Sequence, residues 1–367
     1  LPGANLVRHH ADCEYPFRQD SNFWYLTGFD EPDSIALFLS HKPKGQRFIL
    51  FVAPKDIIGE VWHGFRWGIE GAEKEFKADK AHSINDFKDL LSSYISDVDE
   101  TLFSIGKHPK VEKIILDIFS KQIEDRSKVG KGANTIKSPE IYLNEMRLIK
   151  SDFEINRMRE ATKISAEAHE LVRECISSKK NERQIQGLIE GFFLENGARG
   201  PAYNSIVASG DNACILHYTS NNSDFNKGDL LLVDAGCSLK DYYNGDITRT
   251  IPIGGKFSEE QKVIYEIVLE AQKKAISNVV VGSNSSNVHN IALRILVEGL
   301  KEVGLLKGDT DGIIENGSYK HLYMHRTGHW LGLDVHDVGA YRMGEYDVPL
   351  QNGMILTVEP GIYISDR

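Results

Sequence analysis

Three carboxylates and one imidazole stand at the ends of short apolar runs or beside glycines in the second half of this chain. They are Asp234 in LLLVDAG, Asp246 in NGDITRT, His329 in HWLG and Glu359 in TVEPG. Residues of these types resemble the ligands of a hydrolytic site with two metal ions. Oxygen donors with a single imidazole favour hard or borderline ions such as Mn²⁺, Co²⁺ or Zn²⁺ over a thiolate site.

The surroundings of the two aspartates support a bound cation. Asp234 ends the apolar run 230–233, where a lone charge costs several kcal/mol unless it is paired or bound to a metal. The segment 242–245, YYNG, is a turn that can bring Asp234 and Asp246 side by side. Like charges so placed need a cation between them. The alternative is that an aspartate close to a glycine is an ordinary turn residue.

Histidines are concentrated near the end of the chain. His325, His329 and His336 lie within twelve residues, among glycines and acids. The motif HRTGH lacks the glutamate of the HExxH zinc motif, and Gly328 argues against a helix there. Another histidine, His217 in CILHY, is either a packed core residue or part of the site.

Composition limits the class of protein. The chain has 367 residues, which favours two domains. Its formal net charge of -10 argues against a nucleic-acid partner, and it contains no apolar run long enough to cross a bilayer. Widely spaced cysteines without a CxxC pair favour free thiols in a reducing cytoplasm. They are Cys13, Cys175, Cys214 and Cys237.

The first part of the chain has an α/β pattern. Strand-like runs at 35–39 and 48–52 alternate with helical stretches at 84–91 and 111–118. A polar segment at 128–139 then leads into an amphipathic stretch. We place the domain boundary near 147–150, which predicts an N-terminal domain of residues 1–147 and a second domain of residues 148–367.

The second part alternates helix and strand signals. Capping boxes begin helices at Ser151 and Ser258, and apolar periodicity predicts two more at 181–196 and 288–300. Strand patterns fall at 205–208, 229–234, 242–253 and 354–364. Two helix pairs should therefore flank a mostly antiparallel sheet.

Six segments in this order resemble the pita-bread metallopeptidases, and among them the aminopeptidase P group, the Xaa-Pro aminopeptidases. They are FRQDSNFWYLTGFDEPD at 17–33, SGDNACILHYT, LLVDAGC, GDITRT, HWLGLDVHDVG and VEPGIYI. The resemblance covers nearly the whole chain. It implies an α/β (α+β) protein in which an N-terminal α/β domain precedes a pita-bread catalytic domain.

The resemblance also implies roles for the site residues. Asp234 would bind one metal ion, Asp246 would bridge two, and His329 and Glu359 would bind the second. Glu359 would also shuttle a proton to the leaving nitrogen. Five further residues would serve catalysis or substrate binding. His217 and His336 would stabilise the transition state, His325 would line the pocket, and Tyr363 and Trp62 would contact substrate.

The implied activity is that of a metal-dependent exopeptidase. It would remove the N-terminal residue from peptides with proline in second position, through a hydroxide that bridges two divalent ions, Mn²⁺ foremost. The chain would act in the cytoplasm as a homodimer or homotetramer, with peptides as its partners. Two alternatives stay open: an Xaa-Pro dipeptidase (prolidase), and a catalytically inactive peptide-binding module.

The family pattern includes a fifth ligand. It is a bridging glutamate in an Arg-Ile-Glu-Asp-like strand some tens of residues after VEPG, whereas the sequence stops at Arg367. We expect this glutamate, with the last strands of the sheet, to follow Arg367. A site crippled by its loss is the other interpretation.

Overall fold

The computed structural model describes residues 1–365, apart from the side chain of Ser127. The chain divides into two compact units, Leu1–Leu143 and Asn144–Arg367.

The first unit combines short strands with helices, as the sequence pattern predicts. Its strands are β1 (Arg8–His10), β2 (Cys13–Glu14), β3 (Ile35–Phe38), β4 (Phe48–Val52), β5 (Lys80–Ser83), β6 (Glu100–Leu102) and β7 (Thr135–Lys137). Its helices are α1 (Ser21–Thr27), α2 (Ile57–His63), α3 (Gly68–Lys74), α4 (Phe87–Tyr94) and α5 (Pro109–Val129).

A three-stranded sheet in the order β3-β4-β5 forms the centre of this unit. Strand β4 pairs antiparallel with β3 and parallel with β5. Because β4 is flanked on both sides, Leu50, Phe51 and Val52 are fully buried. Apolar side chains of α4 and α5 pack against the same sheet.

The described part of the second unit contains six α-helices, among them the four that the capping boxes and the apolar periodicity predict. The helices are α6 (Glu140–Leu148), which spans the unit boundary, α7 (Asp152–Cys175), α8 (Glu182–Glu195), α9 (Glu259–Ser277), α10 (Ser285–Glu302) and α11 (Thr310–Asn316). Both capping boxes are formed, at Ser151 with Glu154 and at Ser258 with Gln261. The helices pack in pairs, α7 with α8 and α9 with α10.

The strands of the second unit are short. They are β8 (Gly200–Pro201), β9 (Ile206–Ser209), β10 (Leu230–Asp234), β11 (Cys237–Ser238), β12 (Thr248–Pro252), β13 (Arg342–Met343) and β14 (Tyr346–Asp347). Strand β10 lies between β12 and β9 and pairs antiparallel with both. The antiparallel sheet and the flanking helix pairs agree with the sequence analysis.

Two of the predicted strands differ in the structure. The strand expected at 242–253 begins only at Thr248, because the residues before it bond outside a regular ladder. The Gly245 amide donates to Cys237 and the Asn244 amide donates to Gly332. The segment 354–364 is extended rather than a regular strand. It runs beside 327–331 through backbone bonds and one isolated bridge, Trp330 with Leu356.

Two other predictions concern membrane-spanning segments and the cysteines. In the residues that the structure describes, no helix is both long enough and apolar enough to cross a membrane. All four cysteines are free thiols.

Candidate metal centre

The aspartates at 234 and 246 lie at one end of the β10–β12 hairpin. Asp234 is the last residue of β10 and is paired with Thr248, the first residue of β12. The hydroxyl of Tyr203 lies 2.6 Å from Asp234 Oδ1 and 2.8 Å from Asp246 Oδ1. One hydroxyl therefore contacts both carboxylates. Asp234 and Asp246 thus lie side by side, as predicted from the turn between them.

The other two predicted ligands come from the paired segments 327–331 and 355–359. The His329 Nε2 atom lies 3.2 Å from Asp246 Oδ2 and 3.1 Å from Glu359 Oε1. One ligand atom from each of Asp246, His329 and Glu359 lies within 4.8 Å of the others, and the three side chains are partly buried. The structure thus brings all four residues to one place.

Hydrogen bonds determine which atoms face the centre. The His329 Nδ1 atom lies 2.9 Å from the carbonyl oxygen of Trp330, which can only accept a proton. Nδ1 is therefore the donor to this carbonyl, and Nε2 is the ring nitrogen that faces the carboxylates. Thr357 donates its hydroxyl to Glu359 Oε1 at 2.7 Å and accepts the His329 amide at 3.0 Å.

Electrostatics at the centre favour a cation. Burial, together with the negative charges of Asp246 and Glu359, raises the pKa of Asp234 to about 7, against the lowering effect of the hydrogen bond from Tyr203. Burial lowers the pKa of His329, but hydrogen bonds to Asp246 and Glu359 outweigh it, so that the net value is raised to about 10. A carboxylate that holds a proton and an imidazole that holds one both indicate excess negative charge.

The donor set fits divalent metal ions. Three carboxylates and a correctly oriented imidazole nitrogen converge. In residues 1–365, their hydrogen-bond and ion-pair partners include no Lys or Arg that would compensate their negative charge. These are ligands that Mn²⁺, Co²⁺ and Zn²⁺ accept.

His325 and Tyr363 form a pair in the same region. His325 Nδ1 lies 2.8 Å from the carbonyl oxygen of Arg326, so this nitrogen donates. In the neutral ring Nε2 then accepts the hydroxyl of Tyr363 at 2.9 Å. Burial, followed by the charge of Glu359, raises the pKa of Tyr363 well above its usual range. The phenol therefore stays protonated and acts as the donor in this pair.

His336 and His217 lie on the exposed side of the centre. The ring centroid of His336 is 4.1 Å from that of His329, in an edge-to-face arrangement. His217 is close enough for its charge to act on His336. Both side chains are exposed. The interpretation of His217 as a packed core residue is therefore wrong.

Trp62 lies in the first unit, on α2, and is 80% exposed. Its contact with substrate stays a prediction.

The sequence motifs do not identify three residues that support the centre. Tyr203, between β8 and β9, carries no motif of its own and is recognisable only once both aspartates are placed. Thr357 has a weak signal, since the period of two puts it on the same face as Glu359. Gly328 faces Thr357 so closely that a Cβ atom would stand 2.0 Å from its carbonyl oxygen.

Comparison with known proteins places this site in a family. Residues 156–367 match the model of metallopeptidase family M24, and residues 1–103 match that of the aminopeptidase P N-terminal domain. This chain belongs to metallopeptidase family M24. The predicted family and the predicted two-domain fold class are thereby confirmed.

Named relatives align with almost all of this M24 chain. The Xaa-Pro aminopeptidase of Haemophilus influenzae is 43% identical over 98% of this chain and 80% of its own length. That of Escherichia coli is 38% identical over 99% of this chain and 82% of its own length. The structure of Pseudomonas aeruginosa aminopeptidase PepP superposes with a TM-score of 0.94 at 40% identity, over 100% of this chain and 82% of that one.

Proposed function

We propose that this M24 protein is an Xaa-Pro aminopeptidase, which removes the N-terminal residue from peptides whose second residue is proline. The observation that carries the proposal is the convergence of Asp234, Asp246, His329 and Glu359 on one centre, in a chain 43% identical to an Xaa-Pro aminopeptidase. Residues 1–147 would form the N-terminal domain and residues 148–367 the catalytic domain.

The four convergent residues would hold two divalent metal ions, with Mn²⁺ as the first candidate. Asp234 would serve one ion, Asp246 both, and His329 and Glu359 the other. When bound, the ions supply a Lewis acid that polarises the scissile carbonyl and a water of lowered pKa. The donor orientation at His329 Nδ1 supports this assignment, because it leaves Nε2 free to ligate.

The remaining side chains orient the substrate and move protons. Glu359, oriented by Thr357, would carry a proton to the leaving nitrogen. The exposed His336, which lies beside His329, and the exposed His217, whose charge acts on His336, would donate hydrogen bonds to the oxygen on which charge develops. His325, paired with Tyr363, would line the pocket.

Proline explains why a dedicated enzyme is needed. An Xaa-Pro bond has no N–H and its ring fixes φ, so peptidases that bind the amide hydrogen cannot use it. A site that activates the carbonyl through metal ions has no need of that hydrogen.

Assembly into a homodimer or homotetramer is part of the proposal. Large apolar side chains on and just after α2 are 59–84% exposed, which is typical of a surface that another copy covers. They are Ile57, Ile58, Val61, Trp62 and Phe65. Trp62 of one copy would reach the substrate pocket of another. A cytoplasmic location agrees with the four free thiols.

The activity can be tested with defined peptides. The purified protein with Mn²⁺ should release arginine from Arg-Pro-Pro but not from Arg-Ala-Pro, measured by mass spectrometry. Asp246→Asn should abolish both release and metal binding, whereas Asp224→Asn, which alters an exposed carboxylate, should change neither. Cleavage of Arg-Pro alone would indicate a prolidase. Intact Arg-Pro-Pro in a protein loaded with metal would refute the proposal.

A further inference from the structure

Glu182 is a fully buried carboxylate outside the metal centre. It lies in the first turn of α8 with none of its surface exposed. Such burial is rare for a glutamate unless its oxygens are satisfied. Its environment therefore needs a specific explanation.

Both carboxylate oxygens of Glu182 are saturated by donors from one loop. Oε1 accepts the amide and hydroxyl of Ser209 at 2.7 and 2.8 Å and Asn212 Nδ2 at 3.1 Å. Oε2 accepts the Tyr218 hydroxyl at 2.8 Å and the Ser223 amide at 2.9 Å. The amide of Glu182 also donates to the carbonyl of Ser223 at 3.1 Å.

These bonds make Glu182 an ionised anchor. Burial raises its pKa, but hydrogen bonds from Ser223, Ser209, Asn212 and Tyr218 outweigh it, and the net pKa is lowered. The position at the start of a helix also favours negative charge. The side chain therefore acts purely as an acceptor, which matches the five donors around it.

The anchored loop carries His217. The contacts of Glu182 fall on both sides of it, at Ser209 and Asn212 before and at Tyr218 and Ser223 after. His217 itself is exposed, so the position of its ring depends on the backbone that Glu182 holds. The adjacent residue, Tyr218, transmits the most direct constraint.

We propose that Glu182 is a positioning residue that fixes the loop 209–223 and thereby holds His217 beside His336 for the peptidase reaction. The inference rests on the proposed function and adds a residue that touches neither substrate nor metal. Its effect on catalysis passes through His217. Loss of Glu182 should therefore matter only while His217 is present.

A double-mutant cycle on Arg-Pro-Pro hydrolysis tests this dependence. Glu182→Gln should lower kcat about tenfold with KM nearly unchanged, the pattern of an interaction made in the transition state. In a His217→Ala background the same substitution should change kcat by less than about twofold. Metal content should equal that of the unmodified protein, and Glu195→Gln, exposed at the end of α8, should have no effect in either background.

Each outcome is informative. An unmodified protein with metal but no cleavage refutes the proposed function and this inference together. An active protein in which Glu182→Gln lowers kcat equally in both backgrounds, or in neither, refutes the positioning role alone. Should Glu182→Gln not fold, Tyr218→Phe replaces it, since it removes one donor to Oε2 and should show the same dependence with a smaller effect.

Discussion

Gly328 and Thr357 approach each other so closely that a Cβ atom at position 328 would stand 2.0 Å from the Thr357 carbonyl oxygen. The two residues belong to the paired segments that carry His329 and Glu359. The absence of a side chain at Gly328 thus sets the separation of two predicted ligands. In the sequence, Gly328 argues only against a helix. In the fold, it allows the two segments to approach each other closely.

Gly328→Ala should weaken both stability and metal binding. The methyl group must push the two segments apart, at a cost of about 1–3 kcal/mol for overpacking. We expect a lower midpoint in urea and a larger metal Kd by titration calorimetry. Gly187→Ala is the matched control, because its Cβ would meet nothing within 4 Å. If Gly328→Ala binds metal as the unmodified protein does, the two segments do not set the ligand geometry.

Tyr203→Phe should weaken metal binding without unfolding the protein. The hydroxyl lies within 2.8 Å of both Asp234 and Asp246, so it orients both carboxylates. Loss of such a group beside metal ligands typically costs about 10–100-fold in metal affinity or activity. Calorimetric titration with Mn²⁺ measures the change, with Tyr265→Phe on α9 as the control. An unaltered Mn²⁺ affinity would contradict this role.

Asp337→Asn should destabilise the protein more than Asp334→Asn. Asp337 is buried and lies 2.5 Å from Arg147 and 2.9 Å from Lys150, both also buried. Removing its charge takes the carboxylate partner from buried Lys150 and leaves Arg147 with Asp334 alone of the two aspartates; breaking such a buried pair costs about 3–5 kcal/mol. Asp334 is 36% exposed and contacts Arg147 at 2.7 Å, so water compensates for its loss.

Urea unfolding of the two aspartate variants measures this difference. Equal shifts in midpoint would show that burial does not distinguish the two pairs. Because Asp337 follows His336 directly, the larger effect should also appear as a lower rate of peptide cleavage at temperatures below unfolding.

Acid should destabilise the protein partly through His289. Burial, then the positive charges of Arg326 and His325, lowers the pKa of His289 to about 4, against about 6.5 when unfolded. Between these values the unfolded chain binds the extra proton, so the free energy of unfolding falls as pH falls through this window. The neutral ring accepts the amide of Thr327.

His289→Gln should therefore reduce the loss of stability between pH 6.5 and pH 4. Thermal unfolding at several pH values measures the slope, and His321→Gln, an exposed histidine, is the control. A slope that His289→Gln leaves unchanged would assign the acid sensitivity to other groups.

Local patterns in the sequence predict the four long helices of the second unit and several of the strands. Both capping boxes begin helices where expected, because a Ser hydroxyl and a Glu or Gln side chain three residues on satisfy the first amides without help from distant residues. Strand β10 also follows a local pattern, which is the apolar run that ends at Asp234. The predicted ligands Asp234, Asp246, His329 and Glu359 are recognisable as candidates from type and context alone.

Only the tertiary structure decides how those residues are held. The extended segment 354–364 bonds to 327–331 across a long stretch of chain, and no local period encodes that irregular ladder. Tyr203 and Glu182 carry no motif, because their roles arise from partners distant in sequence. Hydrogen bonding and close packing act between neighbours in space, so these contacts exist only once the chain has folded.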